Sequence, residues 1–320
     1  MPADLYIKDR LSERKPRSRF GLPVVLAVVL ALLATVFAII FGRPKKDSNP
    51  EQKAEGKQAV QEAPASIDAD EGDGPTERVA SGNVSNAEVV RLLREGEQLV
   101  QADELLPARK NLLQVLELTD NPVATTRARK VLDQINIDLL LTPRRMPGKT
   151  EYVVKAGDTI ERIAREHGSN IELVQKSNEI KGALIHPGQR LRIPTGDFSI
   201  VADKSENTLT VTYNGEYFKT YRIGTGKHDK TPTGETKVTD RIMHPTWWQP
   251  DGKAIPYGSP DNLLGTHWLA LDIRGYGIHG TWEPDTIGKH ESEGCIRMHN
   301  RDIEELYTII PIGTPVTIKD

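Results

Sequence analysis

The sequence predicts a multidomain chain with a mainly antiparallel β domain at its C-terminal end, preceded by a βααβ module, a short α-helical bundle and one transmembrane helix. Three observations support this fold class. One apolar run near the N-terminus is long enough to span a bilayer. The apolar period is helical over residues 85–141 and changes to two residues after Phe198. A chain of 320 residues has room for two or three domains, each with its own core.

Residues 21–41 form the apolar run, GLPVVLAVVLALLATVFAIIF, which carries no charge. Its length suits a membrane-spanning helix, and the lack of a closing Ala-x-Ala pattern favours an uncleaved anchor over a signal peptide. More Lys and Arg residues precede the run than follow it directly, so residues 1–20 are predicted to be a cytoplasmic tail. We therefore expect a single-pass protein of the cell membrane, with the chain from residue 42 onward in the periplasm or extracytoplasmic wall space.

Residues 42–84 are rich in Pro, Gly, Ser, Glu, Lys, Gln and Ala and contain few apolar residues. This composition predicts a disordered tether. The formal net charge of −3 is close to neutral, so composition gives no reason to expect a nucleic acid as partner.

Residues 85–141 carry three apolar faces at helical spacing, and Pro107 and Pro122 fall near predicted helix starts, where proline is tolerated. Three helices are expected. They faintly resemble a tetratricopeptide unit, but a solenoid needs about three repeats and one is visible. Two interpretations stay open: a packing spacer, or a surface for a protein partner.

Residues 151–195 have the order β-α-α-β, with one turn before the first helix and a second before the last strand. Thr159 or Asp158 is expected to cap the first helix. The segment resembles a LysM domain, which implies binding of N-acetylglucosamine-containing glycan, mainly peptidoglycan. The predicted glycan-binding residues are Gly157, Asp158, Thr159, Pro187 and Gly188. The alternative is that these are turn and cap residues, with the glycan site built from the backbone around them.

Residues 197–320 form the predicted β domain. Residues 208–213 and 216–223 alternate around Asn214-Gly215, the signal of a hairpin with a type I′ turn. Further strands are expected at residues 269–273 and 316–318. A helix capped by Asn300 is expected over residues 301–309.

Cys295 is the one cysteine of the chain and cannot form an intramolecular disulfide. A free cysteine is often a small buried hydrophobe. Three neighbours favour a nucleophile instead. Gly294 lets the backbone approach a substrate, Arg297 shares the strand face of Cys295, and His279 lies between Gly277 and Gly280 as the base that a thiol needs.

Two motifs, Ile-His-Gly-Thr at residues 278–281 and Ser-Glu-Gly-Cys-Ile-Arg-Met at residues 292–298, resemble the signature of the L,D-transpeptidase catalytic domain of the YkuD type. The match extends to residues 231–234, 262–265 and 300–302, which read Thr-Pro-Thr-Gly, Asn-Leu-Leu-Gly and Asn-Arg-Asp. The sequence departs from the family at two positions. The family often has His where Glu293 stands and Pro where Leu263 stands.

The resemblance implies a cysteine-dependent enzyme, without metal or cofactor, that crosslinks or remodels peptidoglycan stem peptides through a thioester. Cys295 would be the nucleophile and His279 the base, oriented by the carbonyl of Gly280. The amides of Gly294 and Cys295 would bind the oxyanion. The resemblance also implies that carbapenems acylate Cys295.

The residues predicted to contact substrate are Arg297, Ser292, Tyr276 and Trp282, with Trp248 as a further candidate wall of the acyl site. Arg297 has two interpretations, binding a substrate carboxylate or bracing the nucleophile, of which the second is slightly favoured. Aromatic residues in a small β domain are more often part of the core.

Three other functions remain open at this point. The same fold could hydrolyse the acyl-enzyme as an L,D-carboxypeptidase. A non-catalytic LysM wall tether is disfavoured by the intact Cys295–His279 pair. A metal hydrolase is disfavoured because His244, His267, His279 and His290 do not follow a metal-ligand spacing.

Overall fold

The computed structural model describes residues 79–249 and 251–320, all of which fall in one compact unit, Asp73–Asp320. The predicted tail, the predicted membrane span and residues 42–78 of the predicted tether lie outside the described residues. Within the described part of the chain, none of the helices has both the length and the apolar character needed to cross a bilayer.

Three helices begin the described chain: α1 (Val79–Gln101), α2 (Leu105–Leu118) and α3 (Pro122–Leu141). α1 starts six residues before the predicted boundary at residue 85, since no proline interrupts the chain between residues 76 and 106. Asn121 caps α3 by accepting hydrogen bonds from the amides of Val123 and Ala124, and Pro122 is the first helical residue.

The helices pack on one another and on the C-terminal domain. Gly96 of α1 allows close approach to α2, because a Cβ at Gly96 would lie 2.9 Å from Cγ of Leu112. On the other side, the fully buried Asn136 of α3 accepts from Arg109 Nε at 2.7 Å and donates to the carbonyl of Phe218 at 2.8 Å. The bundle is thereby joined to the β domain by buried polar contacts as well as by apolar packing.

The βααβ module consists of β1 (Lys149–Val153), α4 (Ile160–Glu166), α5 (Ile171–Ser177) and β2 (Arg190–Pro194), with β1 and β2 antiparallel. Thr159 caps α4 by accepting from the amide of Arg162 at 3.1 Å. The module has its own apolar core, which includes Ile163 and Leu191. It also contacts the bundle, since the buried Ser177 hydroxyl donates to the carbonyl of Leu140 at 2.6 Å.

An eight-stranded sheet organises the C-terminal domain. Its strands are β3 (Phe198–Asp203), β4 (Thr208–Tyr213), β5 (Glu216–Arg222), β7 (Gly234–Met243), β10 (His267–Leu271), β11 (Gly277–Thr281), β13 (Ile296–His299) and β14 (Pro315–Lys319). They lie in the order β13-β11-β10-β7-β14-β3-β4-β5. Pairs β11–β13 and β14–β3 are parallel and the other five pairs are antiparallel. The prediction of a mainly antiparallel domain is confirmed.

Short elements complete this domain: β6 (Thr225–Gly226), β8 (Trp247–Trp248), β9 (Ala254–Ile255), β12 (His290–Ser292) and α6 (Asn300–Ile309). The predicted hairpin turn is present, with Asn214 and Gly215 both at positive φ. The predicted cap of α6 is wrong. Asn300 is the first helical residue, and its side chain instead accepts from the amide of Thr266 at 3.1 Å, tying α6 to the chain before β10.

Candidate active site

Three neighbouring strands at one edge of the sheet position the predicted catalytic residues. Trp268 of β10 lies opposite His279 of β11, and His279 lies opposite Arg297 of β13. Side chains on opposed positions share a face, so these three residues line up across the strands. Cys295 directly precedes β13 and stands two residues before Arg297. The sheet register thus brings the two motifs together.

His279 is buried, with 3% of its surface exposed. Its Nδ1 lies 2.5 Å from the carbonyl oxygen of Gly280. Since a carbonyl only accepts, Nδ1 carries the proton and Nε2 keeps the lone pair of a base. Burial lowers the pKa of His279 to about 4, and the positive charge of Arg297 acts in the same direction. The imidazole is therefore neutral at neutral pH, and its Nδ1–H donates to the carbonyl of Gly280, the acceptor that the family resemblance implies.

Cys295 is partly buried, and its Sγ lies 3.6 Å from the carbonyl oxygen of Gly275. Burial raises the pKa of the Cys295 thiol, partly offset by the amide of Gly277 and the charge of Arg297. Within residues 79–249 and 251–320, no hydrogen bond joins Cys295 to His279. At rest the two groups are a thiol and a neutral imidazole rather than an ion pair.

The nucleophile loop, residues 292–295, is held by two hydroxyl groups. Ser292 Oγ donates to the carbonyl of Cys295 at 2.6 Å and accepts from the amide of Gly294 at 3.1 Å. Thr231 Oγ1 donates to the carbonyl of Gly294 at 2.8 Å. Ser292, predicted to contact substrate, is 2% exposed and braces the loop instead.

Gly294 has φ +133, and a Cβ there would lie 2.8 Å from the ring of Tyr276. Tyr276, predicted to contact substrate, therefore lies against the nucleophile loop. The amide of Gly294 is already donated to Ser292, so the prediction of a free oxyanion donor at Gly294 does not fit this structure. The amide of Cys295 stays the predicted donor.

Arg297 is buried and paired rather than directed at a ligand. Its Nη1 lies 3.0 Å from Glu283 Oε2, and 10% of its side chain is exposed. Its backbone also exchanges hydrogen bonds with Gly224 at 2.8 and 2.9 Å. These contacts favour the bracing interpretation over binding of a substrate carboxylate.

An aromatic cleft of about 270 Å³ opens beside Cys295. It is lined by Ile242, Pro245, Thr246, Trp247, Trp248, Leu264, Trp268, Gly275 and Cys295. The β8–β9 hairpin supplies one wall, and Asn262 fixes that hairpin by donating to the carbonyls of Pro245 and Ile255, both at 2.9 Å. Apolar lining next to a nucleophile limits access of water to the reacting atoms.

The aromatic residues of the cleft differ in part from those predicted. Trp248 lines it as expected, but Trp282 lies outside, 49% exposed, with its ring 6.4 Å from that of Tyr257. Trp247 and Trp268 were not predicted. In the sequence, Trp268 is recognisable only as a residue of an alternating strand. That it lies opposite His279 becomes clear only from the register of the two strands.

Glu293 stands where the family often has histidine, and its carboxylate pairs with Lys227 and, at 2.5 Å, with Lys230. The two lysines lower the pKa of Glu293 to about 2. All three side chains are largely exposed, so these ion pairs fix the position of the Glu293 carboxylate but add little to the free energy of unfolding.

The other histidines of this domain have separate neighbours. His244 stacks on Tyr257 at 4.1 Å between ring centroids, and His267 packs against Tyr307 at 4.6 Å. His290 bonds to Thr225 Oγ1. In the described part of the chain, no group of three or more His, Cys, Asp or Glu residues is placed to hold a metal ion.

The predicted glycan-binding residues lie on two turns that meet. The amide of Gly188 donates to the carbonyl of Val154 at 2.8 Å, which joins the turn at Pro187-Gly188 to the strand leading into Gly157. Asp158 accepts from the amide of Lys155 and the hydroxyl of Tyr152, so its carboxylate is used internally. The alternative of turn and cap residues is thus supported for Asp158 and for Thr159, the cap of α4.

Two protein families match the chain. YkuD, an L,D-transpeptidase catalytic domain, matches residues 197–318, and the LysM domain matches residues 152–194. "Putative L,D-transpeptidase YkuD" of Bacillus subtilis (strain 168) is 38% identical over 174 residues, which are 52% of this chain and 97% of that protein. "Putative L,D-transpeptidase YqjB" of the same organism is 41% identical over 131 residues, 39% of this chain and 73% of that protein.

Solved L,D-transpeptidase structures are also similar. L,D-transpeptidase 3 from Mycobacterium tuberculosis, in complex with a faropenem-derived adduct, is 23% identical with a TM-score of 0.34, covering 41% of this chain and 66% of that one, just under two thirds. The catalytic domain from the E. faecium L,D-transpeptidase is 28% identical with a TM-score of 0.32, covering 38% of this chain and 96% of that domain.

The Bacillus YkuD protein is matched over nearly its whole length, and the two matching domains follow each other in this chain without overlap. The chain therefore belongs to the L,D-transpeptidase family, with a LysM domain ahead of its YkuD catalytic domain.

Proposed function

We propose that this protein is a cysteine-dependent L,D-transpeptidase that acts on peptidoglycan stem peptides through a thioester acyl-enzyme. One observation supports this most. Cys295 lines the aromatic cleft at the start of β13, which pairs with the strand of His279, and the Nδ1–H of His279 is fixed by the carbonyl of Gly280. A thiol at a cleft, beside an imidazole whose free nitrogen is a base, is what acyl transfer needs.

The reaction begins at the peptide bond between the L centre of the third stem residue and the terminal D-alanine. Cys295 Sγ forms a bond to the carbonyl carbon while His279 Nε2 takes the thiol proton. The oxyanion accepts a hydrogen bond from the amide of Cys295. The intermediate collapses, the C–N bond breaks, and His279 protonates the leaving amine of D-alanine. An acceptor amine then attacks the thioester, loses a proton to His279 and restores the thiol.

An amine rather than water is the proposed acceptor. The walls next to Cys295 are indole rings and aliphatic side chains, which disfavour an ordered water at the thioester. Hydrolysis by the same acyl-enzyme, an L,D-carboxypeptidase activity, is the alternative, and the ratio of crosslinked product to free acid decides between them.

The test incubates the full chain with a tetrapeptide stem and an amine acceptor, then follows intact mass and products. We expect an acyl adduct on the one cysteine, crosslinked product in excess of free acid, and acylation of Cys295 by a carbapenem. Cys295→Ala should fold and lack both adduct and product. A folded parent that forms neither adduct would contradict the proposal and leave the non-catalytic wall tether as the explanation.

We propose that the LysM domain binds peptidoglycan glycan at the two joined turns. Gly157 and Gly188 have φ +82 and +86 with open space around them, so asparagine at either position meets no clash and carries a backbone strain that a control at similar φ can match. Gly157→Asn and Gly188→Asn should weaken binding to purified sacculi. Gly215→Asn, at φ +76 and equally open, is the matched control in the catalytic domain. Equal sacculus binding by all three variants would make the module a spacer.

We propose that residues 21–41 anchor the chain in the cell membrane with the catalytic domain outside the cytoplasm, where peptidoglycan lies. The uncharged run and the excess of basic residues before it support this topology. Protease added to spheroplasts should remove the LysM and catalytic domains and leave a small membrane-bound fragment. Full protection of those domains would refute the topology.

A further inference from the structure

Trp268 contacts both the aromatic cleft and His279. Its indole lines the cleft and lies nearly parallel to the imidazole of His279, with 5.5 Å between ring centroids and 19° between planes. The two residues face each other across β10 and β11. One face of the indole is thus presented to the cleft region and the other to the base.

The indole is held by the backbone of β11. A Cβ at the buried Gly277 would lie 2.4, 2.6 and 2.7 Å from three atoms of the Trp268 ring. Gly277 does not have positive φ, so its lack of a side chain is explained by the ring above it and not by its conformation. Gly277 and Trp268 together fix where the indole lies beside His279.

We propose that Trp268 is a positioning residue for the acyl-transfer reaction, acting through His279: its indole covers one face of the imidazole, excludes water from it and so keeps it in the neutral form that takes the proton of Cys295. This inference rests on the proposed function, because it assigns to His279 the role of base in acyl transfer.

The other groups around His279 act in both directions. From β13, Arg297 is the charged side chain acting on the imidazole, and it disfavours the imidazolium. Arg297 is itself paired with Glu283, which moderates its charge. The carbonyls of Gly280 and Leu264 have the opposite effect and raise the His279 pKa. Among the described residues, Trp268 has the aromatic ring that stacks on the imidazole, so its indole is the side chain that keeps water from that face.

The test compares Trp268→Ala and Trp268→Phe with the parent in the full chain. The titration of the His279 imidazole is followed by NMR, assigned with His279→Gln. Burial places the His279 pKa at about 4 in the parent, and Trp268→Ala should move it toward 6.5, the ordinary value. Trp248→Ala removes a cleft indole without a ring contact to His279 and should leave that titration unchanged.

The kinetic readout is kcat against pH. Trp268→Ala should lower kcat by about 10- to 100-fold and move the acid limb upward with little change in KM, since it damages acid–base catalysis. Trp268→Phe should restore part of kcat. Gly277→Ala, which displaces the indole while retaining it, should resemble Trp268→Ala and serves if that variant does not fold.

An unchanged imidazole titration in Trp268→Ala and Gly277→Ala, or a loss confined to KM, would overturn the inference and make Trp268 a cleft wall only. A parent that forms no acyl-enzyme would refute the proposed function. The NMR titration still decides in that case whether Trp268 controls the state of His279.

Discussion

In the resting protein, Cys295 should be a protonated thiol and not a thiolate paired with imidazolium. Moving a proton from one group to another costs about 1.36 kcal/mol for each unit by which their pKa values differ. The pKa of His279 is about 4, and burial raises the pKa of Cys295 above its ordinary value of about 8.5. The difference in pKa alone favours the neutral pair by about 6 kcal/mol, and the attraction between thiolate and imidazolium reduces this margin without removing it.

The assay is alkylation of the full chain by iodoacetamide between pH 5 and pH 10, followed by intact mass. Because Cys295 is the one cysteine, each added mass reports on it alone. The rate should rise about tenfold per pH unit through the neutral range and level off only above the ordinary pKa of a thiol. His279→Gln should retain this profile while losing turnover. Rapid alkylation that is independent of pH from 5 to 8, and lost in His279→Gln, would refute the neutral pair.

Three further outcomes are expected. Burial lowers the pKa of His279 from about 6.5 to about 4, so between these pH values the unfolded chain binds a proton that the folded chain does not. The free energy of unfolding should therefore fall as pH falls through this window, by up to about 3 kcal/mol. Urea midpoints measured against pH should show this fall, with a weaker slope in His279→Gln. Asn136→Leu should lower stability by about 3 kcal/mol because it leaves the buried Nε of Arg109 and a strand carbonyl without partners, although Arg109 keeps its ion pair with Glu216. Asn121→Ala, at an exposed helix cap, should cost about 1 kcal/mol. Equal urea midpoints for the two variants would contradict this. Ser292→Ala should lower kcat by about tenfold or more with the fold retained, because the nucleophile loop loses both hydrogen bonds of that hydroxyl. Ser292→Thr should restore part of the lost kcat. An unchanged kcat in Ser292→Ala would rule out the bracing role.

The features that could be predicted from the sequence depend on local chemistry. Asn214-Gly215 takes positive φ at both positions, which few other residue pairs do, so the hairpin and its turn follow from two letters. Thr159 caps a helix by bonding to an amide three residues away. The Cys295 and His279 motifs were recognisable because their glycines are required by close contacts, as the ring of Tyr276 over Gly294 shows.

The features that were missed depend on contacts between distant parts of the chain. Asn300 has the residue type of a helix cap, but its carboxamide is used by the amide of Thr266, 34 positions earlier. Trp268 is one of several apolar residues in its strand, and only the register of β10 with β11 shows that it lies opposite His279. The amide of Gly294 was assigned to an oxyanion because the bond to Ser292 was not visible in the sequence.

Contacts between the helical bundle and β5 limit which surface of the bundle could bind a protein partner. β5 is an edge strand of the eight-stranded sheet, and an edge strand leaves backbone groups without partners. Asn136 of α3 donates to the carbonyls of Tyr217 and Phe218, and Asp133 of the same helix accepts from the amide of Thr220 at 3.4 Å. Two side chains thus replace the bonds of a further strand and block pairing at this edge. One face of α3 is covered by the catalytic domain. The predicted surface for a protein partner is therefore limited to the faces of the bundle that do not contact β5.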